Sequence, residues 1–406
     1  MTGAGMRLLD GIRVLDLSAV VMGPFAGQML GDLGADVIKI EPPEGDSTRR
    51  TGPATEAGMA ALFLGVNRNK RSVMLDLKQP EARAALFALV DTADVFMHSM
   101  RPQKLDALGI SPQALLARNP RLVYAGLHGF SEDGPYGGRP AYDDTIQGMA
   151  GLAALAQLQG GEPRYFPTIA ADKTSGLFAV NGILAALVRR ERTGVGAFVE
   201  VPMFESMVAF NLVEHMYGHH FDPPKGALGY PRVLAEWRRP YRTADGYICL
   251  MPYTDQHWRA FFAEVGEADL ATDPRFADIA ARTRNIEALY EVAGGHIARR
   301  TTQAWQDTSE RLQIPSAPMA SLDQVVDDAH LRATGFFVAK DDPSMGRLVF
   351  PGVPLKFDGE RPAIAVPPRL GEHTRDVLAE AGLDAKAIDA LVKKDATPEA
   401  TERAQA

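Results

Sequence analysis

The chain has 406 residues, of which 46% are hydrophobic and 23% are charged, and its formal net charge is −8. This composition is typical of a globular protein, and the length allows two domains that each bury a core. The acidic balance argues against nucleic-acid binding, and the sequence has no apolar run long enough to cross a membrane.

Two features predict a cytoplasmic protein. The segment Met1 to Gly11 lacks the apolar core of a signal peptide. Cys249 is the single cysteine, which excludes an internal disulfide, and its place in the apolar segment 247–250 predicts a buried strand residue.

The first predicted elements form a β-α-β unit. Segment 13–18 is typical of a buried strand, a helix follows and ends at Gly34, and segment 35–41 is typical of a second strand. This order predicts an α/β fold with a parallel sheet, with ligand contacts at the carboxyl ends of its strands. A nicotinamide-dependent oxidoreductase stays an alternative, although the glycines lack the G-x-G-x-x-G spacing. Close packing of a helix on a sheet explains Gly27 and Gly31 equally well.

A basic cluster precedes the next predicted strand, 73–77. It contains Lys70 and Arg71, followed by Ser72. Such a cluster is either a solvated loop or a phosphate site, in which Lys70 acts as a point charge and Arg71 as a forked donor. The sequence leaves both interpretations open. The α-then-β rhythm continues with a helix at 80–92, a strand at 93–98 and a loop that begins with Ser99, Met100 and Arg101.

A long segment rich in turn residues follows the predicted strand 122–127. Residues 131–144 contain many Gly, Pro and Asp residues, which exclude a helix or a central strand there. Loops of this length between regular elements are often functional. The segment is therefore a candidate functional loop, and a helix of small residues is predicted to begin after it at Gln147.

Asp172 stands at the junction of two predicted elements. The short apolar segment before it, 165–171, is typical of a strand, and the apolar segment after it, 177–188, predicts a helix that ends at Gly194. One interpretation makes Asp172 the N-cap of that helix. The other makes it a rigidly held nucleophile that attacks a thioester or anhydride carbonyl. The two interpretations are compatible.

The composition changes after residue 220. Segment 221–240 is rich in Pro, Gly and Arg and is typical of a linker, and strands mixed with amphipathic helices then indicate an α+β unit. The polar tail from Lys394 is predicted to be disordered. His215 and His219 have the spacing of a helical zinc pair, but the motif around them is not one of a zinc site, so we predict a helix end and no metal.

Several stretches in both halves of the chain together carry a resemblance to a known family. They are 11–17 with Gly23 and Pro24, 34–41, 67–78, 134–136 with 139–143, 241–247, 273–276 and 370–374. In this order they resemble the family III CoA-transferases of the CaiB/BaiF type, over nearly the whole chain.

The resemblance implies a role for Asp172 as the covalent nucleophile. It would attack an acyl-CoA to give a mixed anhydride, then carry CoA as an aspartyl thioester to an incoming carboxylate. Tyr142, Asp143 and Arg139 would belong to the active-site loop. CoA, bound as a substrate with no tightly held cofactor, would contact three segments: Ala19, Val20, Val21 and Met22; Lys70, Arg71 and Ser72; and Ser99, Met100 and Arg101.

The resemblance also implies the architecture. A large Rossmann-like domain would comprise 1–220 and 331–406, with a small α+β domain at 221–330 inserted in it. Two subunits would form an interlocked homodimer, and the partners would otherwise be small molecules: an acyl-CoA, such as succinyl-CoA, and a small carboxylic acid. Four arginines are possible partners of a diacid, namely Arg139, Arg232, Arg238 and Arg239.

Two further functions stay open as alternatives. The family includes α-methylacyl-CoA racemases, which need a base on each face of the α-carbon. Relatives of that branch have a His at the position of Tyr142, and tyrosine is too weak a base near neutral pH, which favours transfer; His128 is a possible substitute. The other alternative is a CoA-binding protein without catalytic activity.

Overall fold

The structure, a computed structural model, describes residues 7–395. These divide into two compact units, the first comprising 7–150, 166–210 and 330–395, and the second 151–165 and 211–329. The division differs from the predicted one because 151–165 and 211–220 fall in the second unit and His330 falls in the first. Of the predicted disordered tail, residues 396–406 lie outside the described residues.

The first unit contains a parallel sheet. Within the described residues its six strands are β1 Arg13–Leu17, β2 Asp36–Glu41, β3 Lys70–Met74, β4 Val95–His98, β5 Val123–His128 and β6 Ala197–Pro202. Their order is β3-β2-β1-β4-β5-β6, and each neighbouring pair is parallel. The predicted α/β fold with a parallel sheet is confirmed. A hairpin of β10 Phe337–Asp342 and β11 Gly346–Pro351 follows late in the same unit.

Helices make up most of the remaining regular structure. In chain order they are α1 Met22–Asp32, α2 Ala61–Val66, α3 Pro80–Asp91, α4 Pro102–Leu108, α5 Pro112–Arg118, α6 Asp143–Met149, α7 Leu152–Leu158, α8 Ala170–Thr193, α9 Met203–His215, α10 Pro231–Leu234, α11 Asp255–Glu264, α12 Ile279–Arg284, α13 Ile286–Ile297, α14 Thr302–Leu312, α15 Leu322–Val326, α16 Ala329–Ala333, α17 Thr374–Glu380 and α18 Ala385–Asp395. Short 3-10 turns occur at Ser47–Arg50, Tyr217–His220 and Ala268–Ala271.

The core of the first unit lies along the strands of the sheet. Leu15 of β1 is in register with Ile38 of β2 and Phe96 of β4, and all three side chains are fully buried. Leu86 and Leu89 of α3 belong to the same buried cluster. Nearly every residue of β1, β2, β4 and β5 is buried, as expected where a parallel sheet is covered on both faces.

Helix α1 packs so closely on the sheet that two of its positions require glycine. A Cβ atom added at Gly27 would lie 2.8 Å from Asp16 Oδ2 and 3.2 Å from Lys70 Nζ. A Cβ atom at Gly31 would lie 2.8 Å from the Asn69 carbonyl oxygen. The predicted explanation of both glycines by helix-on-sheet packing is confirmed.

Replacement of Gly27 by alanine is expected to destabilise the protein. The added methyl group pushes into the buried Asp16–Lys70 ion pair, and overpacking of this kind costs about 1–3 kcal/mol. Gly65 of α2 is the matched control, because a Cβ atom there meets nothing within 4 Å. Gly65→Ala should be neutral or stabilising by up to about 1 kcal/mol. Urea unfolding measures both values, and equal stabilities of the two variants would contradict the packing explanation.

The second unit is built around a three-stranded antiparallel sheet and an aromatic core. Its strands are β7 Tyr241–Arg242, β8 Tyr247–Leu250 and β9 Ser316–Pro318, in that order. Trp258, Phe261 and Trp305 are fully buried, with Phe261 stacked on Trp305 at 5.7 Å. The prediction for Cys249 is wrong in one respect: residues alternate between the faces of β8, and Cys249 lies on the exposed face.

Candidate active site

A cleft of about 330 Å³ opens in the first unit where the strand order reverses. From β1 the next strands are added on one side, in the order β2 and β3, and from β4 they are added on the other side, as β5 and β6. The point between β1 and β4 is a topological switch point, which is the usual ligand site of an open parallel sheet. The cleft brings together predicted site residues from four parts of the chain: Ala19, Val20 and Met22; Ser99, Met100 and Arg101; Arg139 and Tyr142; and Asp172.

The loop after β1 is held in an unusual conformation. Val20 has a φ of 70°, in the left-handed region that a β-branched residue rarely adopts. Two side chains hold this backbone: Ser99 Oγ accepts from the Ala19 amide at 3.1 Å, and Asp46 Oδ1 accepts from the Val20 amide at 3.4 Å. Backbone strain of this kind is concentrated at functional sites in proteins.

Asp172 lies in the first turn of α8. The N-cap residue of that helix is Ile169, so the N-cap interpretation of Asp172 is wrong. The predicted strand before it is also absent from the described structure. The backbone groups of this segment form hydrogen bonds with the Gln147 side chain instead of with a neighbouring strand. Its amide accepts from the Phe166 amide at 2.8 Å and donates to the Thr168 carbonyl at 3.0 Å.

Asp143 performs the capping that the sequence suggested for Asp172. Its Oδ1 accepts from the Ala171 amide at 2.7 Å and the Asp172 amide at 3.0 Å, and its Oδ2 accepts from Gln147 at 2.6 Å. A carboxylate at these free amides stabilises the helix start. Because Asp143 accepts from these amides, the Asp172 carboxylate does not cap the helix, and Asp172 lines the cleft.

The surroundings of Asp172 favour a reactive carboxyl group. Its side chain is buried, with 8% of the residue exposed. Burial, and then the negative charge of Asp143, raise the pKa of Asp172 to about 6, against which the hydrogen bond from the Met22 amide acts. A carboxylate with a raised pKa is a stronger nucleophile than an ordinary one and is still ionised at neutral pH.

This pKa predicts a pH dependence of turnover. We expect kcat/KM to rise with pH through a midpoint near about 6, because only the ionised Asp172 attacks a carbonyl. Asp143→Asn removes the neighbouring negative charge, so its midpoint should lie at lower pH. A pH profile of both proteins measures the difference, and substrate ionisation is the same in both. Identical midpoints would contradict the assignment.

The predicted CoA segment of Lys70, Arg71 and Ser72 lies outside the cleft. Lys70 is a buried residue of β3, and its ammonium group donates to Asp16 at 2.9 Å, to Asn67 at 2.9 Å and to the Pro24 carbonyl at 2.8 Å. Burial lowers the pKa of Lys70 to about 8. Both the solvated-loop and the phosphate interpretations are therefore wrong for Lys70, because its ammonium group is buried and paired with Asp16.

The neighbours of Lys70 are also engaged. Arg71 forms ion pairs with Asp36 and Glu380, both at 2.7 Å. Ser72 is fully buried and donates to Glu41 at 2.8 Å. The structure does not bring either side chain to the cleft. Val21, the fourth residue predicted after β1, is buried beneath the loop and does not line the cleft either.

The loop between β5 and α6 supplies one wall of the cleft. Tyr142 is 70% exposed, and the Arg139 guanidinium lies 4.7 Å from the centre of the Tyr136 ring. A Cβ atom at Gly129 would lie 2.4 Å from Ala141 Cβ, so that glycine lets the loop approach the end of β5. His128 also lines the cleft, with its Nδ1 3.4 Å from Glu200 Oε1.

Two residues that position the site had no signal in the sequence. Gln147 and Asp46 contact the site through segments that are distant in the chain, and each is a common residue in a loop or helix start. Only the folded geometry assigns them. Among the described side chains, those of residues 7–393, no group of three or more His, Cys, Asp or Glu is arranged to hold a metal ion. None of the described helices combines the length and apolar character of a membrane span.

Known proteins resemble this chain over most of its length. The probable fatty acyl-CoA transferase of Mycobacterium tuberculosis is 34% identical, over 91% of this chain and 97% of its own. The succinate–glutarate CoA-transferase of Agrobacterium fabrum is 33% identical, over 92% and 95%. The succinyl-CoA:glutarate CoA-transferase of Mus musculus is 30% identical, over 92% and 86%.

Solved structures have the same fold. A crystal structure of the M. tuberculosis protein superposes with a TM-score of 0.79, at 32% identity, over 91% of this chain and 99% of that one. A CaiB/BaiF family protein of Brucella suis gives a TM-score of 0.75, at 31% identity, over 92% and 99%. The sequence model of CoA-transferase family III matches residues 9–374. The chain therefore belongs to CoA-transferase family III.

Proposed function

We propose that the protein moves CoA from an acyl-CoA to a free carboxylate, with Asp172 as the covalent nucleophile. One observation carries this proposal: Asp172 is a buried aspartate that lines the switch-point cleft. Its carboxyl group does not cap a helix, whereas that of Asp143 does. Its raised pKa supports the same role.

The first half of the reaction loads CoA onto the enzyme. Asp172 attacks the thioester carbonyl, the C–S bond breaks, and a mixed anhydride and CoA thiolate result. The thiolate then attacks the aspartyl carbonyl of the anhydride. The bond between the aspartyl carbonyl carbon and the bridging oxygen breaks, so the first carboxylate leaves and Asp172 carries CoA as a thioester.

The second half repeats these steps in the opposite order. The incoming carboxylate attacks the aspartyl thioester and releases CoA thiolate, which gives a new mixed anhydride. The thiolate attacks the new acyl carbon, and the aspartate leaves as a carboxylate. The product is a new acyl-CoA, Asp172 is regenerated, and no proton is gained or lost in the cycle.

The cleft residues have separate proposed roles. The Met22 backbone lowers the pKa of Asp172, and we propose that its amide stabilises negative charge on oxygen during acyl transfer. Asp143 is a positioning residue, since it holds the start of α8. We propose that CoA contacts the loops after β1 and β4, through Ala19, Val20, Met22, Ser99, Met100 and Arg101, and that Arg139 and Tyr142 adjoin the acyl group.

The substrates are proposed from chemistry and from the relatives. The mechanism requires a carboxylic acid as acceptor, and relatives are named for succinyl-CoA with glutarate or mesaconate and for acetyl-CoA with oxalate. We propose a short acyl-CoA as donor and a small carboxylic acid as acceptor. The proposed cytoplasmic location rests on the sequence alone.

One incubation tests this function against its alternatives. Purified protein is mixed in deuterated water with succinyl-CoA, a 2-methylacyl-CoA and a set of free carboxylates, and the products are read by mass spectrometry. New acyl-CoA species without deuterium at the α-carbon are expected. Deuterium at the α-carbon without a new acyl-CoA would identify a racemase instead. Binding of CoA without either product would identify a non-catalytic CoA-binding protein.

We also propose that the protein is a homodimer, with interlocked subunits. Apolar side chains are exposed on helices and a strand that a second subunit would cover: Leu177 at 51%, Phe198 at 46% and Phe210 at 55%. Exposed apolar residues in such number support an interface. Light scattering on a sizing column should give twice the mass of 43.9 kDa. A mass of one chain at micromolar concentration would contradict the proposal.

A further inference from the structure

The second unit contains a cavity of its own, of about 500 Å³. This volume lies within the range of small-molecule sites, which is about 300–1,000 Å³. The walls are mainly apolar and include Tyr241, Met251 and Tyr290. Arg238 and Arg239 lie at its rim, and the single cysteine, Cys249, is part of its lining. The sequence analysis offered Arg238 and Arg239 as partners of a diacid substrate, but neither lines the cleft that contains Asp172.

The two rim arginines have no acidic partner within the part of the chain that the structure describes. No carboxylate oxygen of residues 7–393 lies within 4.0 Å of the Arg238 or Arg239 guanidinium. Other arginines of the same unit are paired: Arg282 with Asp255, and Arg300 with Glu264 at 2.7 Å. Arg239 is stacked on Trp237, 4.6 Å from the ring centre. Stacking fixes a guanidinium and leaves its N–H groups free for an anion.

A third arginine adds positive charge behind the cavity wall. Arg232 is buried, with 6% of the residue exposed, and its partners are aromatic. It donates to the Tyr290 hydroxyl at 3.4 Å and lies 4.7 Å from the centre of the Tyr253 ring. A buried charge without a counter-ion is unfavourable, and Tyr290 itself lines the cavity. An anion bound there would offset this cost.

We propose that this cavity binds an organic carboxylate with an apolar body. The forked donors of Arg238 and Arg239 match the two oxygens of a carboxylate, and the apolar walls match a hydrocarbon chain or ring. Inorganic phosphate would satisfy the arginines but would leave the apolar walls without a partner. All residues that line the site belong to the second unit.

The labelling rate of Cys249 measures occupancy of the cavity, because the chain contains no other thiol. The uncharged reagent N-ethylmaleimide labels Cys249, and intact-mass spectrometry follows the rate. Octanoate at about ten times its Kd should slow labelling by about tenfold, because a bound ligand covers the thiol. Octanamide, which has the same chain without the charge, and inorganic phosphate should have little effect. Asp172→Asn should keep the protection by octanoate, because Asp172 does not line this cavity.

Variants test the two features of the cavity separately. Arg238→Gln with Arg239→Gln should abolish protection, whereas Arg299→Gln, which removes an exposed charge outside the cavity, should not. Ala317 is exposed on β9 and in register with Cys249, so Ala317→Trp should fill the cavity and block octanoate without disturbing the core. Equal protection by octanoate and octanamide, protection that survives the double variant, or no protection at all would overturn the proposal.

Discussion

Asp172→Asn is expected to lower turnover by on the order of 10³-fold or more, because an amide cannot form the mixed anhydride or carry CoA as a thioester. The substitution keeps the size of the side chain and leaves Asp143 on the amides at the start of α8. CoA binding should change little, since the proposed CoA contacts come from the loops after β1 and β4. Initial rates with succinyl-CoA and an acceptor acid measure the loss.

The same variant should be more stable than the natural protein at neutral pH. The folded-state pKa of Asp172 is about 6 and its ordinary value is 3.8. The contribution of the Asp172 carboxyl group to stability is therefore fully present below pH 3.8. This contribution is lost as the pH rises through about 6, when the buried group ionises. Above that pH range, ionisation of the buried group lowers the free energy of unfolding by about 2–3 kcal/mol, and the uncharged amide in Asp172→Asn avoids this loss. Urea unfolding at pH 7 and pH 4 measures this, with the gain expected only at pH 7.

Asp144→Asn is the matched control for both measurements. Asp144 is an exposed neighbour in the same helix as Asp143, and it is outside the cleft lining. We expect natural turnover and natural stability for this variant. Undiminished turnover in Asp172→Asn, after slow deamidation has been excluded by peptide mass, would remove Asp172 from the reaction.

Gly23→Ala is expected to damage both the fold and the site. A Cβ atom at Gly23 would lie 2.2 Å from Ser18 Cβ and Oγ and 3.0 Å from Leu127 Cδ1. No rotamer removes a clash with a Cβ atom, so the start of α1 must move, at a cost of about 1–3 kcal/mol. The Met22 amide moves with it, and a shift of about 1 Å at a reacting group lowers turnover about 10²-fold.

Ser18 offers a rescue that identifies this clash as the cause. Ser18→Gly removes the two closest atoms that the new methyl group meets, although it also removes the hydrogen bond from the Ser18 hydroxyl to Asp16. The double variant should therefore recover part of the turnover that Gly23→Ala loses, and a double-mutant cycle gives the coupling. Additive losses would mean that Gly23 acts in another way.

The sequence predicted the elements that depend on local pattern. The strands β1, β2, β4 and β5 are short apolar runs that end near turn residues, so their periodicity and boundaries are visible in the chain. Their alternation with helices implied the parallel sheet and hence the edge at which the cleft lies. Ala19 and Ser99 follow two of these strands, and the hydrogen bond between them confirms that this edge brings the two loops together.

The failures come from contacts between distant segments. Lys70 has the appearance of an exposed basic residue, and only the pairing of β3 with β2 places it on buried Asp16. Asp172 resembles an N-cap because the sequence does not indicate that Asp143, from another helix, already accepts from those amides. Tertiary contacts of this kind override local preference, and a single sequence carries no direct record of them.

Covalent loading of Asp172 is the most direct test of the reaction. Purified protein is incubated with succinyl-CoA without an acceptor, quenched in acid and digested, and the peptide that contains residue 172 is mapped by mass spectrometry. We predict CoA attached to Asp172 as a thioester, which hydroxylamine converts to the hydroxamate and an added acceptor acid removes. New acyl-CoA formed at full rate while that peptide stays unmodified, even after rapid quenching, would contradict the covalent mechanism.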